Sequence, residues 1–144
     1  MGGFRVFIFL ILYSLGCSTM SIAGALSLKE IETIKGPITL REVEARFGKG
    51  WQHCHGPCIW YESKDYPNKE YWFWLLPSDR GIDFEDGQVA FVTLVNAEDP
   101  DDFKIIWPQE LKNKDKQEVF KSYDKRLKEE AATYKHLEEE REKK

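Results

Sequence analysis

Four short segments of this chain show the two-residue periodicity of β-strands. This periodicity constrains the fold more than any other feature of the sequence. The segments are rich in aromatic and β-branched residues, and turn formers separate them. They run from Cys58 to Glu62, Glu70 to Leu76, Val89 to Val95 and Phe103 to Trp107. Pro67 and Asn68 supply a turn between the first two, and the next connection passes Gly81 and Gly87. Because short connections join antiparallel neighbours, the pattern predicts a four-stranded antiparallel meander.

A helix signature precedes the first strand. Thr39 and Glu42 form a T-x-x-E capping box, and Gly48 stands where a helix that begins there would end. A shorter amphipathic stretch from Leu26 to Ile34 leads into this helix. These signals predict an N-terminal capped helix packed on the sheet, and therefore a single α+β domain over residues 26–108.

Residues 109–144 differ in composition, because they are mostly charged apart from one apolar set. That set recurs at steps of three and four residues, which predicts a long charged helix with one apolar stripe. The stripe could pack on the chain's own sheet, which is the simplest arrangement, or pair with a second copy as a short coiled coil, or contact a partner. It consists of Val119, Phe120, Tyr123, Leu127, Ala131, Tyr134 and Leu137.

Alternation also sorts the aromatic residues of the first two strands by face. One face is expected to carry Trp60, Trp72 and Trp74, and the other Tyr61, Tyr71 and Phe73. An antiparallel sheet usually leaves one face to water, but here both faces are aromatic. The capped helix can cover one face, so the other requires the C-terminal helix, a partner or a ligand. The three tryptophans are therefore predicted to be either core or a partner-binding surface.

The first 25 residues have the pattern of a secretory signal. Arg5 is followed by an apolar run from Val6 to Leu12, which is shorter than the roughly 20 apolar residues that span a bilayer. Ala23 to Ala25 form an A-x-A cleavage site that would leave Leu26 as the new terminus. This pattern predicts export to the bacterial periplasm or the medium.

A second processing site is an alternative. Ser14, Leu15 and Gly16 precede Cys17 in an arrangement similar to a bacterial lipobox, so that the signal would end at Gly16 and Cys17 would carry lipid. The protein would then be anchored in the outer membrane, and that lipid would be its one membrane contact.

Either cleavage leaves two cysteines, Cys54 and Cys58. An even pair in an oxidising compartment predicts a disulfide, and Gly56 and Pro57 form a turn that would let the two thiols meet. An alternative uses the same segment, because imidazole and thiolate together suit zinc or copper. The residues of this soft-metal or thiol-redox site would be His53, Cys54, His55 and Cys58, although their spacing matches no strong zinc signature.

Acidic side chains gather in two predicted loops. One holds Asp79, Asp83, Glu85 and Asp86, and the other holds Glu98, Asp99, Asp101 and Asp102. Neither has the calcium-binding pattern of an EF-hand, so solvated turns are the simplest interpretation. The second loop is also a candidate acidic finger for the basic cleft of a partner. Residues 26–108 carry 15 acidic and 9 basic side chains, which excludes a basic footprint for nucleic acid.

Motifs for catalysis are absent from the sequence. There is no G-x-S-x-G elbow, no P-loop and no H-E-x-x-H pair, and the three histidines are two neighbours of Cys54 and His136. The chain is therefore predicted not to be an enzyme and to need no cofactor.

The order of these features resembles a known group. A signal and a lipid-ready cysteine are followed by a helix from Ile38 to Gly48, by Trp60-Tyr61 in the first strand, and by an antiparallel meander. Over about residues 28 to 107 the chain resembles the small SmpA/OmlA (BamE-like) envelope proteins, and more broadly half of a β-lactamase-inhibitor-type repeat. The resemblance implies a non-enzymatic protein that binds another envelope protein, as an assembly subunit or as an inhibitor or immunity protein.

Overall fold

The computed structural model describes residues 24–52, 57–77 and 87–143. The predicted export signal with Cys17 lies outside these residues, and so do His53, Cys54 and His55. The acidic loop from Asp79 to Asp86 lies outside them as well.

The described residues form a mixed α+β fold, as predicted. Two short helices, α1 and α2, precede five strands, and a 3₁₀ turn at Gln109–Leu111 leads into a long C-terminal helix, α3. The bounds are α1 Leu28–Glu32, α2 Leu40–Phe47, β1 Trp51–Gln52, β2 Cys58–Glu62, β3 Lys69–Leu75, β4 Val89–Asn96, β5 Phe103–Trp107 and α3 Lys116–Glu142. The four predicted strands are confirmed within one residue at each end. Strand β1 was not predicted, because two residues are too short to show alternation.

The sheet is an antiparallel meander in the order β1-β2-β3-β4-β5. Trp60 pairs with Trp72, and Tyr61 pairs with Tyr71. Because paired residues point to the same side, this register confirms that the tryptophans and the tyrosines occupy opposite faces. We call the tyrosine side the inner face and the tryptophan side the outer face.

Helices α1 and α2 cover the inner face. Both begin with a capping box, Ser27 with Glu30 in α1 and the predicted Thr39 with Glu42 in α2. These caps satisfy the free backbone N–H groups of each first turn. The apolar sides of the helices then pack on the sheet, and the most deeply buried residues of this core are Ile31, Val43, Tyr61, Tyr71, Phe73 and Val92.

The first turns of α3 cover part of the outer face. The Phe120 ring lies edge-on against Trp74 at 4.9 Å and against Phe91 at 5.1 Å between centroids. Tyr123 is buried beside them, and its hydroxyl donates a hydrogen bond to the Leu75 carbonyl. The simplest arrangement of the charged helix, docking on its own sheet, is therefore confirmed for this part of α3.

The second half of α3 is mostly exposed to solvent. Leu137 is 46% exposed, and Tyr134 is half-buried. Ion pairs four residues apart, such as Lys125 with Glu129 at 3.7 Å, run along its surface. Among the helices that the structure describes, none combines the length and the apolar composition that crossing a bilayer would require.

Candidate functional site

A pair of stacked indoles lies at the β1 edge of the outer face. Trp51 pairs with Trp60 across β1 and β2, and the two rings lie 5.8 Å apart at an interplanar angle of 23°. Trp51 is 47% exposed, whereas Trp60 is half-buried. This ring pair is therefore available at the surface as a contiguous aromatic patch.

Gly50 explains how so short a strand holds its tryptophan in place. A Cβ at position 50 would lie 3.0 Å from side-chain atoms of both Ile59 and Tyr61, so these neighbours would have to shift, and glycine avoids that crowding. The Tyr61 hydroxyl also donates a 2.7 Å hydrogen bond to the Gly48 carbonyl. The close approach at Gly50 and this hydrogen bond lie just before Trp51, which pairs with Trp60 at the sheet edge.

Two carboxylates occupy the next position along the same face. Glu62 pairs directly with Glu70, one step beyond the pair formed by Trp60 and Trp72. Like charges placed opposite each other destabilise a sheet. Within the described ranges, neither carboxylate forms an ion pair with a basic side chain. Glu70 does accept a 2.7 Å hydrogen bond from the Trp72 indole N–H.

We call these side chains together the indole–carboxylate surface, and they are Trp51, Trp60, Glu62 and Glu70. The surface combines aromatic faces, which attract cations, with two negative charges that lack basic partners among the described residues. It can bind a ligand by stacking and by charge pairing.

The three tryptophans predicted as a partner-binding surface do share one face, but they differ in access. Trp60 belongs to the indole–carboxylate surface. Trp72 is 9% exposed and packs against Cys58 and Val95. Trp74 lies beneath α3, where its indole N–H donates a 3.0 Å hydrogen bond to the buried Thr93 hydroxyl.

The sequence prediction named only Trp60 of this surface and missed Trp51, Glu62 and Glu70. Glu62 and Glu70 entered it only as the ends of two strands, and Trp51 was not assigned to any strand. The alternation test needs at least four residues, and β1 has two. A usable signal was present, because the dipeptide Gly56-Pro57 is typical of a turn and would predict that the segment before it folds back onto the first predicted strand.

The predicted acidic finger is a compact and exposed turn between β4 and β5. Its own side chains close it: Asn96 accepts from the Glu98 backbone N–H at 3.1 Å, and Asp99 accepts from that of Asp101 at 3.3 Å. The backbone N–H of Ala97 donates to the Asn68 carbonyl at 2.9 Å, which fixes the turn beside the β2–β3 connection. The four predicted residues, all exposed, are Glu98, Asp99, Asp101 and Asp102. They stand at the same end of the sheet as Glu62 and Glu70.

Cys58 is buried on the outer face, opposite Trp74. Burial raises the pKa of its thiol to about 12, so the sulfur stays protonated and is a poor nucleophile or metal ligand at neutral pH. It has no disulfide partner among the described residues, and Cys54 lies outside them. The Cys54–Cys58 disulfide and the alternative metal site both stay predictions. Within the described part of the chain, no cluster of His, Cys, Asp and Glu could hold a metal ion.

An open cleft of about 680 Å³ lies at the opposite edge of the sheet, near β5. Trp107 and Arg126 contribute to its lining, and the Trp107 indole N–H donates a 3.2 Å hydrogen bond to the Ile34 carbonyl. Among the described residues that line the cleft there is no serine, cysteine or histidine, so these residues supply no nucleophile with a histidine base.

Comparisons of the chain with family models, with curated proteins and with solved structures found no match. The resemblance to the SmpA/OmlA (BamE-like) group thus stays a prediction, and the candidate site is argued from the chain's own geometry.

Proposed function

We propose that this chain is an exported bacterial envelope protein that works without catalysis, by binding another envelope protein through the indole–carboxylate surface. The observation that carries the proposal is the exposed Trp51 ring stacked on Trp60 at the edge of the outer face. Tryptophan is enriched among the residues that dominate binding energy at protein interfaces.

The rest of the outer face supports the same interpretation. Helix α3 already covers Phe91, which is buried, and packs its Phe120 ring against Trp74, which is half-buried. Trp51 and Trp60 lie outside that cover. An aromatic patch with a polar rim is typical of a surface that a partner completes.

The edge of β2 is covered by other parts of the chain, which favours binding through side chains over binding by strand addition. Leu26 lies alongside this edge, accepting a 2.8 Å hydrogen bond from the Lys64 N–H and donating one of 2.8 Å to the Glu62 carbonyl. Strand β1 covers the next residues. A partner would therefore find few free backbone groups here, and it would bind the rings and carboxylates instead.

Two roles fit such a protein, assembly subunit and inhibitor or immunity protein. The order of its sequence features, which resembles the SmpA/OmlA (BamE-like) group, supports the first. The exposed acidic turn at Glu98 to Asp102 supports the second, because rim charges steer association with a basic cleft. Export by the N-terminal signal, with a Cys54–Cys58 disulfide, is part of the proposal.

Site-specific photocrosslinking in cells of the native host tests this function. A photoreactive phenylalanine analogue replaces Trp51 in one variant and Lys135, on the exposed half of α3, in the control. We expect a discrete adduct with one envelope protein at position 51 and none at position 135. Absence of an adduct at position 51, or the same adducts at both positions, would contradict the proposal.

A further inference from the structure

We infer that the indole–carboxylate surface recognises an arginine side chain presented by the protein partner, an inference that rests on the proposed function. The first reason is charge. Glu62 and Glu70 face each other on neighbouring strands, and neither has a basic ion-pair partner among the described residues. A cation placed between them would remove the repulsion that this pairing creates.

The second reason is the aromatic neighbour. Trp60 and the glutamate pair lie two residues apart on the same side of β2, which is about 7 Å along the strand. The indole is the best aromatic face for a cation. A single side chain with a flat charged group can therefore stack on Trp60 or Trp51 while it pairs with the carboxylates.

Contacts between a basic side chain and an aromatic ring also occur elsewhere in this fold. The Lys116 ammonium lies 4.6 Å from the Phe103 ring centroid, and the Arg46 guanidinium lies 5.3 Å from that of Phe47. Among the described cations, none lies over Trp51 or Trp60.

Geometry favours arginine over lysine as the occupant. A guanidinium is planar, stacks on aromatic rings and donates two parallel hydrogen bonds to a carboxylate, whereas an ammonium acts as a point charge. The acidic turn from Glu98 to Asp102, at the same end of the sheet, adds long-range attraction for a basic partner. A neutral sugar could stack on the indoles, but it would gain nothing from these charges.

A matched pair of small probes tests the chemistry directly. N-acetyl-arginine amide and its citrulline counterpart have nearly the same shape, but only the first is charged. We expect saturable shifts of the Trp51 and Trp60 indole N–H signals in nuclear magnetic resonance spectra, with the arginine probe binding about two- to fivefold more tightly. Equal responses to both probes, or shifts only with an N-acetylglucosamine oligomer, would overturn the inference.

Charge-neutral variants supply the control. The Glu62→Gln/Glu70→Gln double variant is expected to lose this preference while its melting temperature stays the same or rises, because like-charge repulsion is removed. Glu139→Gln/Glu142→Gln removes two exposed carboxylates from α3 and should keep the preference. A preference that survives in the first double variant contradicts a role for Glu62 and Glu70.

Crosslinking at position 51 separates the two proposals. If the adduct forms equally in wild type and in the Glu62→Gln/Glu70→Gln variant, the charges of these two carboxylates do not contribute to partner binding. This inference then fails, while the proposed function stands. If wild type gives no adduct, the proposed function fails. We expect a weaker adduct in the double variant than in wild type.

Discussion

At the scale of single residues, the tryptophans of the outer face divide by burial. Trp74 lies within an aromatic cluster under α3, with Phe91 at 5.9 Å and Phe120 at 4.9 Å between ring centroids. Trp51 contacts Trp60 and is 47% exposed. Replacing Trp74 therefore tests its contribution to the stability of the fold, whereas replacing Trp51 tests its role in the indole–carboxylate surface.

We expect Trp74→Ala to destabilise the fold by about 3 to 5 kcal/mol, because it removes a ring from a packed cluster and breaks the hydrogen bond to Thr93. Trp51→Ala should cost about 1 kcal/mol, since its ring has one aromatic neighbour in the described structure. Chemical denaturation of both variants measures the difference. Similar losses for both would mean that Trp51 is a core residue.

The Cys58 thiol should resist modification in the folded state. Raising the thiol pKa from 9.0 to about 12 lowers the thiolate fraction at neutral pH about 1,000-fold, and burial adds a steric barrier. The measurement is the rate of alkylation by iodoacetamide, in protein that starts at Leu26 and carries Cys54→Ser. Denatured protein of the same sequence is the control. Equal rates in the two states would contradict the burial of Cys58.

At the scale of elements, hydrogen bonds at helix ends and one docked helix organise the sheet. Thr39 caps α2 and accepts from the Glu42 backbone N–H, while Glu42 accepts a 2.8 Å hydrogen bond from the Thr39 N–H. Tyr123 ties α3 to the backbone of β3. These hydrogen bonds are made by residues that the sequence patterns identify. The cap fixes the start of α2, and the Tyr123 bond fixes the position of α3 on the sheet.

We expect Tyr123→Phe to destabilise the fold by about 1 to 2 kcal/mol, because the buried Leu75 carbonyl loses its donor while the ring packing remains. Tyr134→Phe is the matched control on the exposed half of α3, and it should change the free energy of unfolding by less than about 0.5 kcal/mol. Urea denaturation measures both. A loss at position 134 as large as that at 123 would show that the distal half of α3 is also docked.

The two capping boxes make stability depend on pH. Hydrogen bonds from the backbone N–H groups of Ser27 and Thr39 hold the pKa of Glu30 and of Glu42 below the ordinary value of 4.5. A lowered folded-state pKa stabilises the fold above about pH 4.5, and this contribution is lost as pH falls through the folded pKa values.

The double variant Glu30→Gln/Glu42→Gln keeps the capping hydrogen bonds but cannot titrate. Its urea midpoint should therefore fall less between about pH 6 and pH 3 than that of wild type. An unchanged fall would assign the acid sensitivity to other carboxylates.

At the scale of the whole molecule, two layers of helix cover the sheet unequally. Helices α1 and α2 close the inner face over a continuous core, while α3 closes the outer face only over Trp74, Phe91 and their neighbours. The uncovered remainder at the β1 edge coincides with the carboxylate pair. A candidate binding surface arises there because cover by the elements that the structure describes stops.

Much of this architecture could be predicted because it depends on local patterns. Side chains alternate along a strand, so the period of two located β2 to β5 and assigned Trp60 and Trp72 to one face. The Thr39 and Glu42 cap marked the start of α2. The site was predicted only in part, because Trp60 was named as a binding residue, whereas Trp51, Glu62 and Glu70 were not.

The sequence by itself determined the α+β class, helices α2 and α3, strands β2 to β5 and the faces of those strands, because these follow from repeat period and from capping chemistry within a few neighbouring residues. Only the tertiary structure decided which tryptophans α3 covers, since Phe120 and Trp74 meet across 46 positions of sequence. It also decided that Trp51 joins the outer face, because a two-residue strand shows no alternation and takes its place by pairing with β2.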